Sequence, residues 1–364
     1  MRVLLVVEQL RRRVPGGIAT YARGLCRGLL EMAEGGEETP EVELLAAMTA
    51  ERPDPVDALG FPKRLSRLPD RLLIRAWEHG LITGPRGFDL LHSTSMAIPP
   101  SRGPHRPVSV LTVHDLAWRR FPHAYNARGT AFHERALVRL IRHADHVVVP
   151  SSPVADDLVE AGLGEDRVSV IAEGSDHLVA PDLDRAGLLL RSLGILGDVP
   201  YLLSVGTLEP RKNLGRLFSA YELYRRQVRE PWPLVVVGPK GWGPRLSPPP
   251  GAVLAGRVDE PVLAALYRAA GAVAYVPLYE GFGLPPLEAM ASGTPVLASP
   301  MPSADGFALV VDPTDVGSIA GGIVQLVSDE ALRRELVELG HERAACLTWA
   351  AAARHHAELW RSLG

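Results

Sequence analysis

Short apolar runs rich in β-branched residues recur along the chain, with amphipathic stretches between them. Runs at 2–7 (RVLLVV), 42–48 (VELLAAM), 89–95 (DLLHSTS), 108–115 (VSVLTVHD), 146–152 (HVVVPSS) and 167–176 (RVSVIAEGSD) predict strands. Segments 18–33 (IATYARGLCRGLLEMA) and 128–144 repeat their apolar positions at helical spacing. Continuous apolar strands alternating with helices imply a parallel sheet covered on both faces. The first half is therefore expected to be a Rossmann-like domain.

The pattern weakens over 176–199, a polar and poorly periodic tract, and then restarts. Strands are expected at 201–210, 233–241, 252–258, 272–278 and around TPVLASP and ALVVDP (308–313), with helices at NLGRLFSAYELYRRQV and EPVLAALYRAAG. A second doubly wound domain follows. The last stretch, DEALRRELVELGHERAACLTWAAAARHHAELWRSL, is expected to be helical throughout. The expected limits are 1–178 for an N-terminal domain, 179–345 for a C-terminal one, and 346–364 for a helix crossing back. Two such domains in tandem place the carboxyl ends of their sheets opposite each other, so an interdomain cleft is the expected site.

Composition changes this picture little. The chain has 364 residues, 46% hydrophobic and 22% charged, an ordinary globular balance. A net charge of -3 supplies no basic field to attract nucleic acid. Cys26 and Cys346 lack metal-ligand spacing and read as reduced packing residues of a cytoplasmic protein. The apolar run at the start is too short for a signal-peptide core or a membrane span.

Candidate chemistry lies where strands end. In YEGFGLPPLEAMASGTPVLAS (279–299), Glu280 and Glu288 stand with seven residues between them across a Gly-rich turn. Gly281 and Gly283 permit close backbone approach, and amides at a helix start suit anions and hydroxyls. The two carboxylates either hold a polyhydroxylated ligand or complement a helix dipole. In GTLEPRKNL (206–214), Gly206 ends a strand and Arg211 and Lys212 precede a helix. Two cations beside a helix N-terminus suit a diphosphate, and a solvated loop pair is the alternative. Gly16 and Gly17 form a second glycine turn before a helix, and Arg11–Arg13 precede it. Neither a G-x-G-x-x-G nor a Walker loop is present, which disfavours a redox dinucleotide. His114 ends LTVH and could polarise a reacting group or cap local backbone; His92 has a similar claim.

Taken together, GTLEPRKNL, VVVGPKG, LAGRVDEPVLAALYRAA, the 279–299 motif, GGIATYARGL and VHDL…RFP resemble the GT4 family of retaining glycosyltransferases with the GT-B fold. The resemblance runs in order through nearly the whole chain. It implies that Glu280 contacts donor-sugar hydroxyls and Glu288 the donor ribose, with the backbone of Phe282, Gly283 and Leu284 against sugar and diphosphate. Arg211 and Lys212 would neutralise the departing diphosphate, Gly17 would close over it, and His114 would lie near the reacting face of the sugar. No cofactor is implied, and with no D-x-D in a strand-end loop, metal independence is expected. The segment PMPSADGFALVVDP is shorter than the family's usual loop and lacks its glutamate, which puts the surface around 300–307 in doubt.

The nucleotide base is expected near Val258, with Asp259 or Glu260 accepting from guanine, although Asp259 reads equally as a helix N-cap. This leans the donor towards GDP-mannose over a UDP-sugar. The acceptor is expected to be a glycan, a lipid-linked sugar or a small molecule. Eight arginines over 102–142 (Arg102, Arg106, Arg119, Arg120, Arg128, Arg135, Arg139 and Arg142) either contact an anionic membrane surface or solvate a helix face. A nucleotide-sugar epimerase and a non-catalytic nucleotide-sugar-binding relative are the rival readings.

Overall fold

The computed structural model describes residues 1–11, 16–49, 53–125, 127–197 and 199–364. They form two units: Met1–His177 together with Thr348–Gly364, and Leu178–Leu347. The expected division after 178 falls after His177, and the expected return at 346 falls at Thr348.

In unit 1 the strands are β1 (Arg2–Val6), β2 (Glu41–Met48), β3 (Lys63–Pro69), β4 (Leu90–Ser93), β5 (Val108–Thr112), β6 (His146–Val149) and β7 (Val168–Val170). They pair in the order β3-β2-β1-β4-β5-β6-β7, all parallel. The helices are α1 (Gly16–Glu34), α2 (Asp70–Glu78), α3 (Ala117–Arg120), α4 (Ala127–His143) and α5 (Ser152–Glu160). β4 and β6 are buried along their whole length, as continuous apolar strands require when helices cover both faces. The expected strands shorten to their apolar cores: residues 94–95, 113–115 and 150–151 leave the ladders as loops.

Unit 2 contains α6 (Leu183–Ser192), β8 (Leu202–Val205), α7 (Leu214–Gln227), β9 (Leu234–Val237), β10 (Ala252–Gly256), α8 (Glu260–Ala269), β11 (Ala272–Tyr275), α9 (Leu284–Ala291), β12 (Val296–Ala298), β13 (Leu309–Val310), α10 (Val316–Ser328) and α11 (Glu330–Cys346). Its sheet is parallel, in the order β10-β9-β8-β11-β12-β13. The final helix, α12 (Trp349–Leu363), belongs to unit 1 and packs on α1.

That packing is written in small residues. Gly24 and Gly28 lie four apart on one face of α1. A Cβ on Gly24 would stand 2.0 Å from the Trp349 ring, and one on Gly28 would stand 2.1 Å from the Trp349 carbonyl oxygen. Trp349 and Trp360 are fully buried against Leu25, Leu29 and the inner strands β1 and β4. Each such large apolar side chain contributes on the order of 2–3 kcal/mol on burial.

Four expectations need correction. The C-terminal stretch is not one helix: Leu347 leaves helical geometry and the Thr348 side chain caps α12 by accepting from the Ala351 amide at 3.1 Å. The tract 176–199, polar and poorly periodic with no element expected in it, carries α6, which Asp182 caps through the Arg185 amide. Its leucines escaped notice since only Ala186 is buried and no inward stripe exists. Gly16 and Gly17 do not precede a helix but form the first turn of α1. Cys346 is exposed, unlike the packed Cys26, whose thiol is pushed up to about 12 by burial.

Candidate functional site

In each sheet the strand order reverses once, between β1 and β4 and between β8 and β11. Ligands of doubly wound sheets bind outside the carboxyl ends of the strands at such a reversal. The chain leaving β8 is Gly206–Lys212, and the chain leaving β11 runs from Tyr275 to Glu280. The topology therefore joins two motifs nearly seventy residues apart in sequence.

They meet on one oxygen. Glu280 Oε1 accepts from Arg211 Nη1 at 2.8 Å, from Lys212 Nζ at 2.6 Å and from the Tyr275 hydroxyl at 2.9 Å. Arg211 also donates to the Tyr279 carbonyl at 2.9 Å and to Glu209 Oε1 at 3.0 Å, while Lys212 donates to the Tyr275 hydroxyl at 2.5 Å. Burial works to raise the Glu280 carboxyl, but Arg211 and Lys212 outweigh it and hold the group at about 2. Glu209 moves the other way, since burial exceeds the help it receives from Arg211. Two cations and two carboxylates thus form a largely buried cluster able to exchange partners with an incoming anion.

Local backbone explains why the cations land there. Pro210–Lys212 form a tight 3-10 turn, and Asn213 takes a left-handed conformation (φ 58°) that asparagine tolerates. The Asn213 amide donates to the carbonyls of Val276 and Pro313 at 3.0 and 2.7 Å, tying the start of α7 to the end of β11. Gly206 packs its backbone against Gly238, where a Cβ would stand 1.9 Å from the Gly206 carbonyl oxygen.

Glu288 has different company. It lies on α9 and accepts from the buried Tyr267 hydroxyl at 2.7 Å. Burial, then the Glu288 charge, raises the Tyr267 phenol well above its usual range, so it stays a donor. Pro285 and Pro286 sit in the first turn of α9 and carry no amide proton. The backbone donors expected there reduce to those of Phe282, Gly283 and Leu284 before the prolines. Gly283 has φ 106°, and a Cβ on it would stand 2.5 Å from the Ser303 hydroxyl. Ser303 donates its amide to the Phe282 carbonyl at 3.1 Å and its hydroxyl to the Gly283 carbonyl at 2.7 Å. The short 300–307 segment is thus a brace under the glycine turn, itself held by Arg343 through the Pro302 carbonyl. Val258 is half-buried before α8, and Asp259, at the N-cap position, makes no cap hydrogen bond; its carboxylate pairs with Arg185 at 2.7 Å.

Unit 1 gathers His114 with partners beyond the resolving power of sequence. Its Nε2 meets the Thr94 carbonyl and its Nδ1 meets Glu173 Oε1, both at 3.0 Å, with the Tyr21 ring edge-on at 4.8 Å. A carbonyl only accepts, so Nε2 carries a proton, and one further proton is shared with Glu173. Burial opposes the charged ring, but the Glu173 carboxylate prevails and raises its affinity for the proton. His92 is not at the edge of a site. It is fully buried, donates to the Thr112 hydroxyl at 2.8 Å and accepts from the Trp360 indole at 3.1 Å. Gly17 is exposed in the first turn of α1, and Arg12 and Arg13 lie outside the described residues.

Four of the eight arginines of the basic stretch pair with carboxylates: Arg106 with Asp145, Arg119 with Glu134, Arg120 with Asp157 and Arg139 with Glu78. Among the described residues no cluster of three or more His, Cys, Asp or Glu side chains could hold a metal ion, and no helix is long and apolar enough to cross a membrane.

Sequence models match in two places. Residues 15–177 fit the family described as Glycosyltransferase Family 4, and residues 189–343 fit Glycosyl transferases group 1. The chain is 30% identical over 262 residues to O-antigen chain mannosyltransferase B of Escherichia coli, covering 68% of each chain. It is 31% identical over 229 residues to the serotype-specific mannosyltransferase WbdA of the same organism, and spans 28% of that protein's length. Among solved structures, sucrose-phosphate synthase from Thermosynechococcus elongatus matches with a TM-score of 0.73 at 22% identity, covering 100% of this chain and 99% of that one. Anabaena HepE in complex with UDP and glucose matches with a TM-score of 0.69 at 17% identity, covering 100% of both chains. The fold is that of the GT-B class, two parallel-sheet α/β domains.

Proposed function

The chain belongs to the family 4 glycosyltransferases, and from that membership we propose that it moves a hexose from a nucleotide sugar to an acceptor hydroxyl with retention at the anomeric carbon. Mannose from GDP-mannose is the favoured donor, because two relatives near 30% identity are mannosyltransferases.

The observation that carries the reading is the convergence of Arg211 and Lys212 at the β8/β11 reversal. Glycosyl transfer needs a diphosphate to leave, and fixed cations in a half-dry site stabilise its charge without rearrangement. As the bond from the anomeric carbon to the diphosphate oxygen breaks, a new bond forms to the acceptor oxygen on the same face, and the acceptor proton passes to the departing phosphate. Arg211 and Lys212 release part of their hold on Glu280 to the diphosphate, and the freed carboxylate accepts from sugar hydroxyls. Glu288, steadied by Tyr267, accepts from the ribose. Phe282, Gly283 and Leu284 supply backbone at the turn into α9, Gly206 supplies it at the end of β8, and Val258 borders the base. In unit 1 the His114–Glu173 pair contacts a substrate hydroxyl, and Gly17 approaches phosphate. The reaction is assigned no metal.

One observation favours a second reading, a UDP-sugar donor. Of the two carboxylates offered to guanine, Asp259 and Glu260, the first is committed to Arg185 at 2.7 Å. Thermal unfolding with GDP, UDP, GDP-mannose and UDP-glucose separates the two. A nucleotide present at a hundred times its Kd stabilises the fold by about 2.7 kcal/mol. Larger stabilisation by the guanosine pair supports GDP-mannose, and the reverse order supports the UDP-sugar. Stabilisation by none of the four sinks the donor site.

A further inference from the structure

We propose that unit 1 holds a second binding site, for an amphiphilic anion: a single alkyl or prenyl chain ending in a phosphate monoester. The site is a cavity of about 820 Å³ between α2, the 96–102 segment and α4. That volume is in the range of small-molecule sites. It goes beyond the transfer reaction and rests on residues the reaction does not use.

The lining has two characters. Ile74, Trp77, Met96, Ile98, Phe132 and Leu140 supply an apolar wall. Arg102, Arg106, Arg139, Arg142 and Arg167 supply five cations, against two carboxylates, Glu78 and Asp145. Both carboxylates are spoken for. Asp145 takes Arg106 in a two-bond pair at 2.5 and 2.6 Å, and Glu78 takes Arg139 at 3.2 Å. The surplus is three positive charges.

Helix dipoles absorb part of that surplus. The guanidinium of Arg167 donates to the carbonyls of Ile141 and Ala144 at the end of α4, and Arg102 reaches the Gly80 carbonyl at 3.4 Å just past α2. Two helix ends offer about half a negative charge each. Three cations against roughly one countercharge still leave a net positive field. Arg102 and Arg142 are both exposed at the rim, where an anion can reach them.

Position separates this cavity from the strand-end site. Its cations belong to the amino ends of the strands: Arg106 precedes β5, Arg142 ends α4, and Arg167 precedes β7. Thr94 and His114 follow the carboxyl ends of β4 and β5. A small inorganic anion would leave the apolar wall unused, and a neutral chain would leave the cations unanswered. A chain carrying a terminal phosphate satisfies both, its head between Arg102 and Arg142 and its tail along Trp77 and Phe132.

The test is calorimetric titration of the full chain with monomeric dodecyl phosphate, with dodecyl maltoside and inorganic phosphate as probes of each half. Dodecyl phosphate is expected to bind at least tenfold more tightly than either. The double variant Arg102→Ala, Arg142→Ala should weaken it about tenfold or more, and Ala136→Phe, which fills the cavity from α4, should abolish it. Far-UV circular dichroism and unchanged donor-nucleotide stabilisation show that both variants fold; should Ala136→Phe not fold, the exposed arginine pair decides alone. Equal affinity for dodecyl maltoside or for inorganic phosphate overturns the proposal. So does wild-type affinity in the folded variants, or association with phosphatidylglycerol vesicles but not with the monomeric chain.

Discussion

Unit 2 keeps its buried polar cluster charged, whereas unit 1 keeps one of its own neutral, and the contrast sets the candidate site apart from a structural clasp. At β8 and β11, Arg211 and Lys212 share Glu280 Oε1 with a tyrosine, an arrangement whose partners can be exchanged for another anion. Under α12 the bonds run in one direction. The Trp360 indole donates to His92, His92 to Thr112, Thr112 to Tyr21, Tyr21 to His356, and His356 to the Ala352 carbonyl. Every group between the indole and the final carbonyl both gives and accepts, both imidazoles are neutral, and each tautomer is fixed by its neighbour. It starts and ends on α12, so it fastens that helix to α1, β4 and β5. A ligand has nothing to displace there.

The sharpest way to break this comparison is to remove one member from each cluster. Lys212→Ala should lower turnover about a hundredfold or more, as loss of a fixed charge at a leaving group does, while Arg211 keeps Glu280 paired and the melting temperature changes little. Thr112→Val should do the reverse. It leaves the His92 donor and the Tyr21 hydroxyl without their shared partner, costing about 1–3 kcal/mol of stability, with turnover nearly intact. Parallel measurements of kcat and urea unfolding decide the matter. If Lys212→Ala retains turnover, or Thr112→Val loses it without losing stability, the two clusters have been assigned the wrong way round.

Acid should part the two units as well. Burial holds His356 at about 4, and His92 and His146 also lie below 6.5. An unfolded chain takes up these protons as pH falls through 6.5 and the folded one does not, so stability drops between pH 6.5 and 4. For His356 alone the loss approaches about 3 kcal/mol. Glu280, at about 2 in the fold and 4.5 when unfolded, stabilises unit 2 above pH 4.5 and gives that up only between 4.5 and 2. Glu209, raised, gains as the pH falls. His114 is also raised, and its contribution is complete below pH 6.5, so it does not offset the loss. A variant with Trp232→Phe and Trp242→Phe leaves its tryptophan emission in unit 1. Urea midpoints of that emission should fall from pH about 7 to about 5, and a constant or rising midpoint would refute the assignment.

How far sequence could reach follows from the same contrast. The charged cluster was legible because its members end apolar strands, and strand ends converge in a doubly wound sheet. Even there Tyr275 and Tyr267 went unseen, since each reads as one more aromatic in a buried run. The neutral relay was illegible: Tyr21 and His356 are 335 residues apart, and Trp360 and His92 are 268 apart. Glu173 was quoted within IAEGSD but carried no motif of its own. β3 failed for another reason. KRLSRLP is a sheet edge with most positions exposed, so it lacks the apolar run that marked its neighbours. In the basic 102–142 stretch the pairing was illegible, because the carboxylates that meet Arg119 and Arg139 lie 15 and 61 residues away.

The smallest effect tests the brace. Ser303 fastens the Gly283 carbonyl at 2.7 Å, and that glycine, at φ 106°, sets the path of the backbone into α9 and Glu288. Ser303→Ala removes the hydroxyl but keeps the amide bond to Phe282, so the turn loosens without unfolding. The expected change is about 1 kcal/mol in stability, with a few-fold rise in KM for the donor and kcat nearly constant, since the cations proposed to meet the leaving group are untouched. Gly283→Ala should be worse, because its Cβ has neither a suitable backbone angle nor room beside Ser303 and Met301. Steady-state kinetics on both variants would show it. If Ser303→Ala lowered kcat and left KM alone, the 300–307 segment would be acting on the chemistry, and its role as a support for the donor turn would have to be given up.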